Sequence, residues 1–225
     1  MPNNRSQKIF LIGIAAGIAL IILGWILTPA ENPIGVLAAT VIMVVYGMIA
    51  WFVPQRVEKI SPIIQSTAVL LGLIAGLIFV GEIILEYILL PKDNSTLGLI
   101  EFGSVFFLYL LAGAITAYRT NSIRNGILSA LGTALITTLI WTIATLSVFY
   151  LFRGTPQQAQ VFQAEGNYAD FAQSGMTDMN AFIMEDFMGA IFFHSLLGPI
   201  LASILGVIGG IIGMGVARIQ LRKYL

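Results

Sequence analysis

The chain has 225 residues, of which 58% are apolar and 10% are charged, and it contains no cysteine. Soluble domains carry about 25% charged residues, so this composition excludes an ordinary soluble domain. The lack of cysteine excludes disulfide scaffolds, thiolate zinc sites and iron–sulfur ligation. The formal net charge of zero argues against nucleic-acid binding, which requires a basic face.

Six apolar segments follow one another along the chain, separated by prolines, asparagines and charged residues. Each is long enough for a membrane-spanning helix, which needs about 20 apolar residues. None shows the alternation with a period of two that marks the strands of a transmembrane barrel. The sequence therefore predicts an all-α bundle of six transmembrane helices, forming one domain over residues 1–225, with spans at 9–27, 35–53, 63–88, 97–118, 127–152 and 188–217.

The distribution of lysine and arginine predicts how these spans are oriented. Only Lys92 and Arg153 fall on the side opposite the amino terminus. Cytoplasmic loops of membrane proteins are enriched in Lys and Arg. We therefore expect a multi-pass protein of the plasma (inner) membrane with both termini in the cytoplasm. The basic residues on the cytoplasmic side are Arg5, Lys8, Arg56, Lys59, Arg119, Arg124, Arg218, Arg222 and Lys223.

The segment 153–187 is long for a connection in a compact bundle and lies on the predicted outer side. Asp178 is a residue type that caps helices at their amino termini, and apolar residues recur after it at helical spacing. We expect an outer loop with an interfacial helix in this segment. A bend into the membrane is expected at Pro199.

Glycines recur four residues apart in several spans, and this spacing lets membrane helices approach each other closely. Packing within the chain is the simpler interpretation. A gating surface or a homo-oligomer interface is the alternative. The helix-packing glycines are Gly13 and Gly17, Gly72 and Gly76, Gly206 and Gly210, and Gly209 and Gly213.

Acidic residues are concentrated on the predicted outer side, where all but Glu58 lie. This surplus would concentrate cations at the outer mouth. Glu82 and Glu86 share one face of the third span, and Glu101 lies about one turn into the fourth. Carboxylates inside membranes are costly and usually mark a route for ions or protons. The alternative is that the glutamate pair stands solvated among the lipid headgroups.

His194 is the single histidine of the chain, and it follows Asp186 by about two helical turns on nearly the same face. Together with the three glutamates, these two side chains would form an oxygen-rich site with one imidazole. Such a site suits a divalent cation, namely Mn²⁺, Zn²⁺ or Fe²⁺. On the simpler interpretation, His194 is a hydrogen-bonded residue of a helix interface.

The sequence lacks the zinc-protease, nucleophile-elbow and phosphate-loop motifs, so we assign no catalytic residue and favour a protein that is not an enzyme, without excluding one. We predict a small membrane transporter or channel-like protein for a cation or a proton-coupled solute. The ligand candidates are Glu82, Glu86, Glu101, Asp186 and His194.

Two other functions stay open at this point. The first is a non-catalytic membrane subunit or scaffold that acts through a partner protein, and the second is a membrane-embedded metal-dependent enzyme. The expected partners are the lipid bilayer and either a second copy of the chain or another membrane protein, with no nucleic acid. A divalent cation is the single cofactor considered.

Overall fold

The computed structural model describes residues 5–28, 33–56, 61–89 and 95–222, with side chains except at positions 6, 53–56, 88–89, 95 and 221–222. Within these ranges the chain is helical apart from short turns, which confirms the all-α prediction. The described helices are α1 Arg5–Leu27, α2 Ile34–Arg56, α3 Pro62–Leu89, α4 Ser95–Thr120, α5 Ile123–Phe152, α6 Pro156–Ala164, α7 Asn167–Ser174 and α8 Met179–Arg222.

Six of these helices are long and apolar enough to cross a membrane, as in a multi-pass membrane protein. The first five match the predicted spans to within four residues at either end, and the sixth begins nine residues earlier than predicted. The apolar segments are Gln7–Leu27, Ile34–Phe52, Pro62–Tyr87, Thr96–Thr120, Ile123–Phe152 and Met179–Gln220. Three residues used in the orientation prediction, Lys59, Lys92 and Lys223, lie outside the described residues.

Short sequence signals set the helix boundaries. Pro62 and Pro156 each occupy the first position of a helix, where a missing amide hydrogen costs nothing. The Thr155 side chain caps α6 by accepting a hydrogen bond from the Gln158 amide. Asn121, with φ of 50°, follows the end of α4, since asparagine tolerates the left-handed conformation that stops a helix.

Helix α8 contains 44 residues and is therefore about 66 Å long, roughly twice the thickness of a hydrocarbon core. Asp178 caps it as expected, since its Oδ1 accepts from the Asn180 amide at 2.8 Å. The helix continues through Pro199. The segment 153–187 contains α6, α7 and the beginning of α8 where a single interfacial helix was expected.

The chain divides into two compact units. The first unit comprises Met1–Phe52, Val80–Asn94 and Trp141–Ser195, and the second comprises Val53–Phe79, Ser95–Ile140 and Leu196–Leu225. Helices α2, α3, α5 and α8 contribute to both units. The single transmembrane domain of residues 1–225 stays a prediction.

A hydrogen bond within the first unit supplies the donor that Pro199, in the part of α8 that belongs to the second unit, cannot provide. Pro199 has no amide hydrogen, so the carbonyl of Ser195, four residues earlier, loses its helical donor. The buried Tyr46 hydroxyl, from α2, donates to this carbonyl oxygen at 2.7 Å. A neighbouring helix thus supplies the missing hydrogen bond, as membrane proteins require around proline.

Also in the first unit, Gly17 of α1 is buried and Gly13 is half-buried. In the second unit, Gly72 and Gly76 of α3 lie directly against α5. A Cβ atom at Gly72 would lie 2.8 Å from Ile136 Cβ, and one at Gly76 would lie 2.6 Å from Ile140 Cδ1. These two glycines therefore allow α3 and α5 to approach more closely than alanine would permit.

Glycines of α8 make still closer approaches in the second unit. Cβ atoms at Gly209 and Gly213 would overlap backbone atoms of α4. At Gly213 the overlap is with the Ala114 carbonyl oxygen. Gly206 and Gly210 approach α5 in a similar way. All four glycines make contacts within this chain.

Candidate functional site

Five carboxylates of the first unit interact with one another and are named here the acidic cluster. Two are carried by α3, one follows the end of α6, one lies in α7 and one lies in α8. The members are Glu82, Glu86, Glu165, Asp170 and Asp186. Glu86 is within electrostatic range of Glu82 and Glu165, and Asp186 is within range of Asp170.

Helix α6 is docked on α3, and this docking places Glu165 beside the α3 glutamates. Val161 is 2% exposed and packs against Ile83 and Tyr87, the apolar neighbours of those glutamates in sequence. The Gln157 side-chain amide also donates a hydrogen bond to the Tyr87 backbone carbonyl. Apolar burial and a hydrogen bond together hold α6 against the carboxyl-terminal part of α3.

Repulsion within the acidic cluster is visible at Glu165, which lies outside the membrane-spanning segments. The Glu165 side chain is exposed, and its pKa is raised by partial desolvation and further by the charges of Asp186 and Glu82. The Asn167 side chain, which donates to Oε2 at 2.9 Å, lowers it. Because the net pKa shift is upward, a positive charge close to Glu165 would stabilise its ionised form.

The cluster does not provide a ready-made metal-chelating centre. Among the residues that the structure describes, no group of three or more histidine, aspartate and glutamate side chains is arranged to hold one metal ion.

Glu101 lies on α4 in the second unit. Its side chain is 4% exposed, and its neighbour Phe102 contacts the ring of Phe79 at a centroid distance of 5.6 Å. A carboxylate this deeply buried favours a paired or protonated state.

His194 belongs to the first unit and is positioned by an aromatic contact. Its ring lies 4.4 Å from the Trp141 ring, centroid to centroid, at an interplanar angle of 33°. Its Nδ1 is 2.8 Å from the Ala190 carbonyl oxygen on the same helix. Since a carbonyl oxygen only accepts hydrogen bonds, this contact places a proton on Nδ1.

Arg153, at the end of α5, forms a hydrogen bond with the end of α1. Its guanidinium donates to the Leu27 carbonyl at 2.8 Å, where the carbonyl end of α1 attracts positive charge. The side chain thus stabilises the carboxyl end of α1.

Glu82, Glu86 and Asp186 of the predicted set each interact with Glu165, which the prediction did not contain, and the five-residue site itself stays a prediction. Glu165 and Asp170 were counted in the outer surplus of acids but not as site residues. The one signal for them in the sequence is their occurrence, without a neighbouring lysine or arginine, in a segment flanked by predicted spans.

Comparisons with known proteins add no assignment. No family model, no curated protein and no solved structure matches this chain. The functional argument therefore rests on the residues themselves.

Proposed function

We propose that the chain crosses the plasma (inner) membrane six times, with both termini in the cytoplasm. The six apolar helices support the number of crossings, and the distribution of Lys and Arg supports the direction. In this orientation α6, α7 and the first turns of α8 lie on the outer side. The acidic cluster then stands between the outer solution and the apolar parts of the helices.

In this arrangement the protein is a small transporter or channel-like protein for a cation or a proton-coupled solute. The observation that carries the proposal is the convergence of carboxylates from α3, α6, α7 and α8 in the first unit. Their combined charge concentrates cations at the outer entrance. Glu82, Glu86 and Asp186 are the predicted ligands in this cluster, while Glu101 and His194 are candidates for other positions along the route.

A divalent cation bound through its hydration shell fits the acidic cluster best. Carboxylate oxygens are the ligands that Mg²⁺ and Ca²⁺ prefer, and Mg²⁺ commonly keeps several waters when it binds protein. A doubly charged ion also reduces the repulsion between neighbouring carboxylates more than a singly charged ion does. We therefore expect divalent cations to bind more strongly than monovalent cations at equal ionic strength.

Thermal unfolding of the detergent-purified protein tests this proposal. We expect Mg²⁺, Ca²⁺ or Mn²⁺ to raise the unfolding midpoint more than Na⁺ does at the same ionic strength. A ligand at about 100 times its dissociation constant contributes about 2.7 kcal/mol. For a chain of this size that corresponds to a midpoint shift of about 5–10 °C.

Variants of single carboxylates test whether the acidic cluster causes the shift of the unfolding midpoint. Glu165→Gln and Glu86→Gln each remove one charge from it and should reduce the gain from divalent ions. Glu185→Gln removes the same charge next to Asp186 on α8, outside the cluster, and should keep the gain. An identical response in all three variants, or no response in the parent protein, would contradict the proposal and favour a non-catalytic subunit acting through a partner.

A further inference from the structure

In the second unit, the last turns of α8 pack closely against the first turns of α5. A Cβ atom at Gly210 would lie 3.1 Å from Ile123 Cγ2, and one at Gly206 would lie 3.1 Å from Ile127 Cα. Because the later residue of α8 meets the earlier residue of α5, the two helices run in opposite directions. We name them here the α5–α8 pair.

Helix α4 lies on one side of the α5–α8 pair. A Cβ atom at Gly126 of α5 would lie 2.7 Å from the Gly113 carbonyl oxygen, and one at Gly213 of α8 would overlap the Ala114 carbonyl oxygen. Each residue of an α-helix is rotated from the previous one by about 100°. The contacts therefore determine which residues of α5 and α8 lie on the side of the pair away from α4.

Arg124 and Arg218 both lie on that side. Arg124 is about 160° round α5 from Gly126, beyond the residues that contact α8. Arg218 is about 140° round α8 from Gly213, beyond Gly210, which contacts α5. Both arginine side chains are exposed.

The two arginines are also close along the helix axes. Gly210 is level with Ile123, the neighbour of Arg124, and Arg218 follows Gly210 by about 12 Å. Side chains of a helix lean towards its amino terminus. Since α5 and α8 run in opposite directions, the two guanidinium groups lean towards each other, with room for a phosphate group between them.

Each arginine ends a stripe of apolar side chains on the same side of the pair. Ile211 is 57% exposed and Val207 is 38% exposed. This side of the pair is therefore an apolar surface with two positive charges at one end. The stripes are Leu128, Leu131 and Leu135 on α5, and Met214, Ile211 and Val207 on α8.

In the described part of the second unit, no carboxylate is placed to pair with these arginines. Glu101 is the one acidic residue described there. It lies near the beginning of α4, about 28 Å from the end of that helix at Thr120. Guanidinium groups bind phosphate oxygens through paired, charge-assisted hydrogen bonds.

We propose that this side of the α5–α8 pair binds an anionic phospholipid of the cytoplasmic leaflet. The lipid phosphate lies between Arg124 and Arg218, and an acyl chain follows the apolar stripes. This inference goes beyond the proposed function. It uses the proposed orientation of the helices but none of the carboxylates of the acidic cluster, so each proposal can fail without the other.

Native mass spectrometry of the delipidated full chain in detergent tests this site, with phosphatidylglycerol as the probe. We expect one tightly bound phosphatidylglycerol per chain. Phosphatidylcholine with the same acyl chains, which has no net charge, and the Arg124→Gln, Arg218→Gln double variant with phosphatidylglycerol should each show binding weaker by about tenfold or more. Diacylglycerol, which lacks the phosphate, should not replace the bound lipid.

Arg119→Gln is the matched control, because it removes the same charge from an exposed arginine at the same end of the unit. Arg119 is about 240° round α4 from Gly113, on the side of α4 away from α5 and α8. This variant should keep the affinity for phosphatidylglycerol within about twofold of the parent protein. Without lipid, all variants should unfold at the parent midpoint, because the substituted side chains are exposed.

Three results would overturn the proposal. The first is unchanged affinity for phosphatidylglycerol in the double variant, and the second is an equal loss in Arg119→Gln, which would indicate a diffuse effect of surface charge. The third is displacement of phosphatidylglycerol by inorganic phosphate at equal concentration, which would indicate a site for free phosphate. Loss of binding in the double variant alone, with no displacement by inorganic phosphate, supports the lipid site.

Discussion

Gly213→Ala should lower the free energy of unfolding by about 1–3 kcal/mol, the usual cost of inserting a carbon into a tightly packed interface. The new Cβ atom would overlap the carbonyl oxygen of Ala114, a backbone atom that cannot turn aside. Helices α4 and α8 would have to separate, and other contacts along their interface would weaken. Equilibrium unfolding in mixed detergent micelles measures the change.

Gly215→Ala is the matched control on the same helix. A Cβ atom at Gly215 meets nothing within 4 Å, so its effect should lie within about 0.5 kcal/mol of the parent protein. A slight gain is expected, because alanine has the higher helix propensity. Equal losses in the two variants would show that the contact with α4 does not determine the cost at Gly213.

Tyr46→Phe should lower the free energy of unfolding by about 1–3 kcal/mol, the penalty for leaving a buried acceptor without a donor. The substitution keeps the ring and removes the hydroxyl that donates to the Ser195 carbonyl. Pro199 cannot replace that donor, because its nitrogen bears no hydrogen. The measurement is the same micelle unfolding experiment.

A double-mutant cycle identifies the cause. In a Pro199→Ala background the amide of residue 199 can donate to the Ser195 carbonyl, so Tyr46→Phe should then cost much less. Tyr150→Phe is the control, since its hydroxyl donates at 2.7 Å to Leu20, a helical carbonyl with an intrahelical donor of its own. Equal costs of Tyr46→Phe in the two backgrounds would contradict the account of Pro199.

The six long helices could be predicted from the sequence because length and hydropathy alone determine them. The start of α8 could be predicted from Asp178, a capping residue followed by apolar residues at helical spacing. The predicted span began later, at 188, because the turns before it carry Glu185 and Asp186, which lower the hydropathy although the helix continues through them. The helix continues through Pro199 and the bend expected there stays a prediction, while the compensating donor, Tyr46, is distant in sequence.

The acidic cluster could be predicted in part. Glu82 and Glu86 are recognisable because apolar residues surround them. Glu165 and Asp170 join them only because α6 docks through Val161 and Gln157, in a segment with no strong helical periodicity. A tertiary contact of this kind has no signature within a single sequence. The relation of His194 to Trp141 is likewise a consequence of how α5 and α8 face each other in the first unit.

Cation entry into proteoliposomes is the measurement that tests the central claim most directly. The purified protein is reconstituted into vesicles that contain calcein, whose fluorescence Mn²⁺ quenches on entry. We expect faster quenching than in protein-free vesicles, a loss of this difference in the Glu82→Gln, Glu86→Gln double variant, and its retention in Glu185→Gln. Quenching by the folded, inserted parent protein at the rate of protein-free vesicles would contradict a transport function for the acidic cluster.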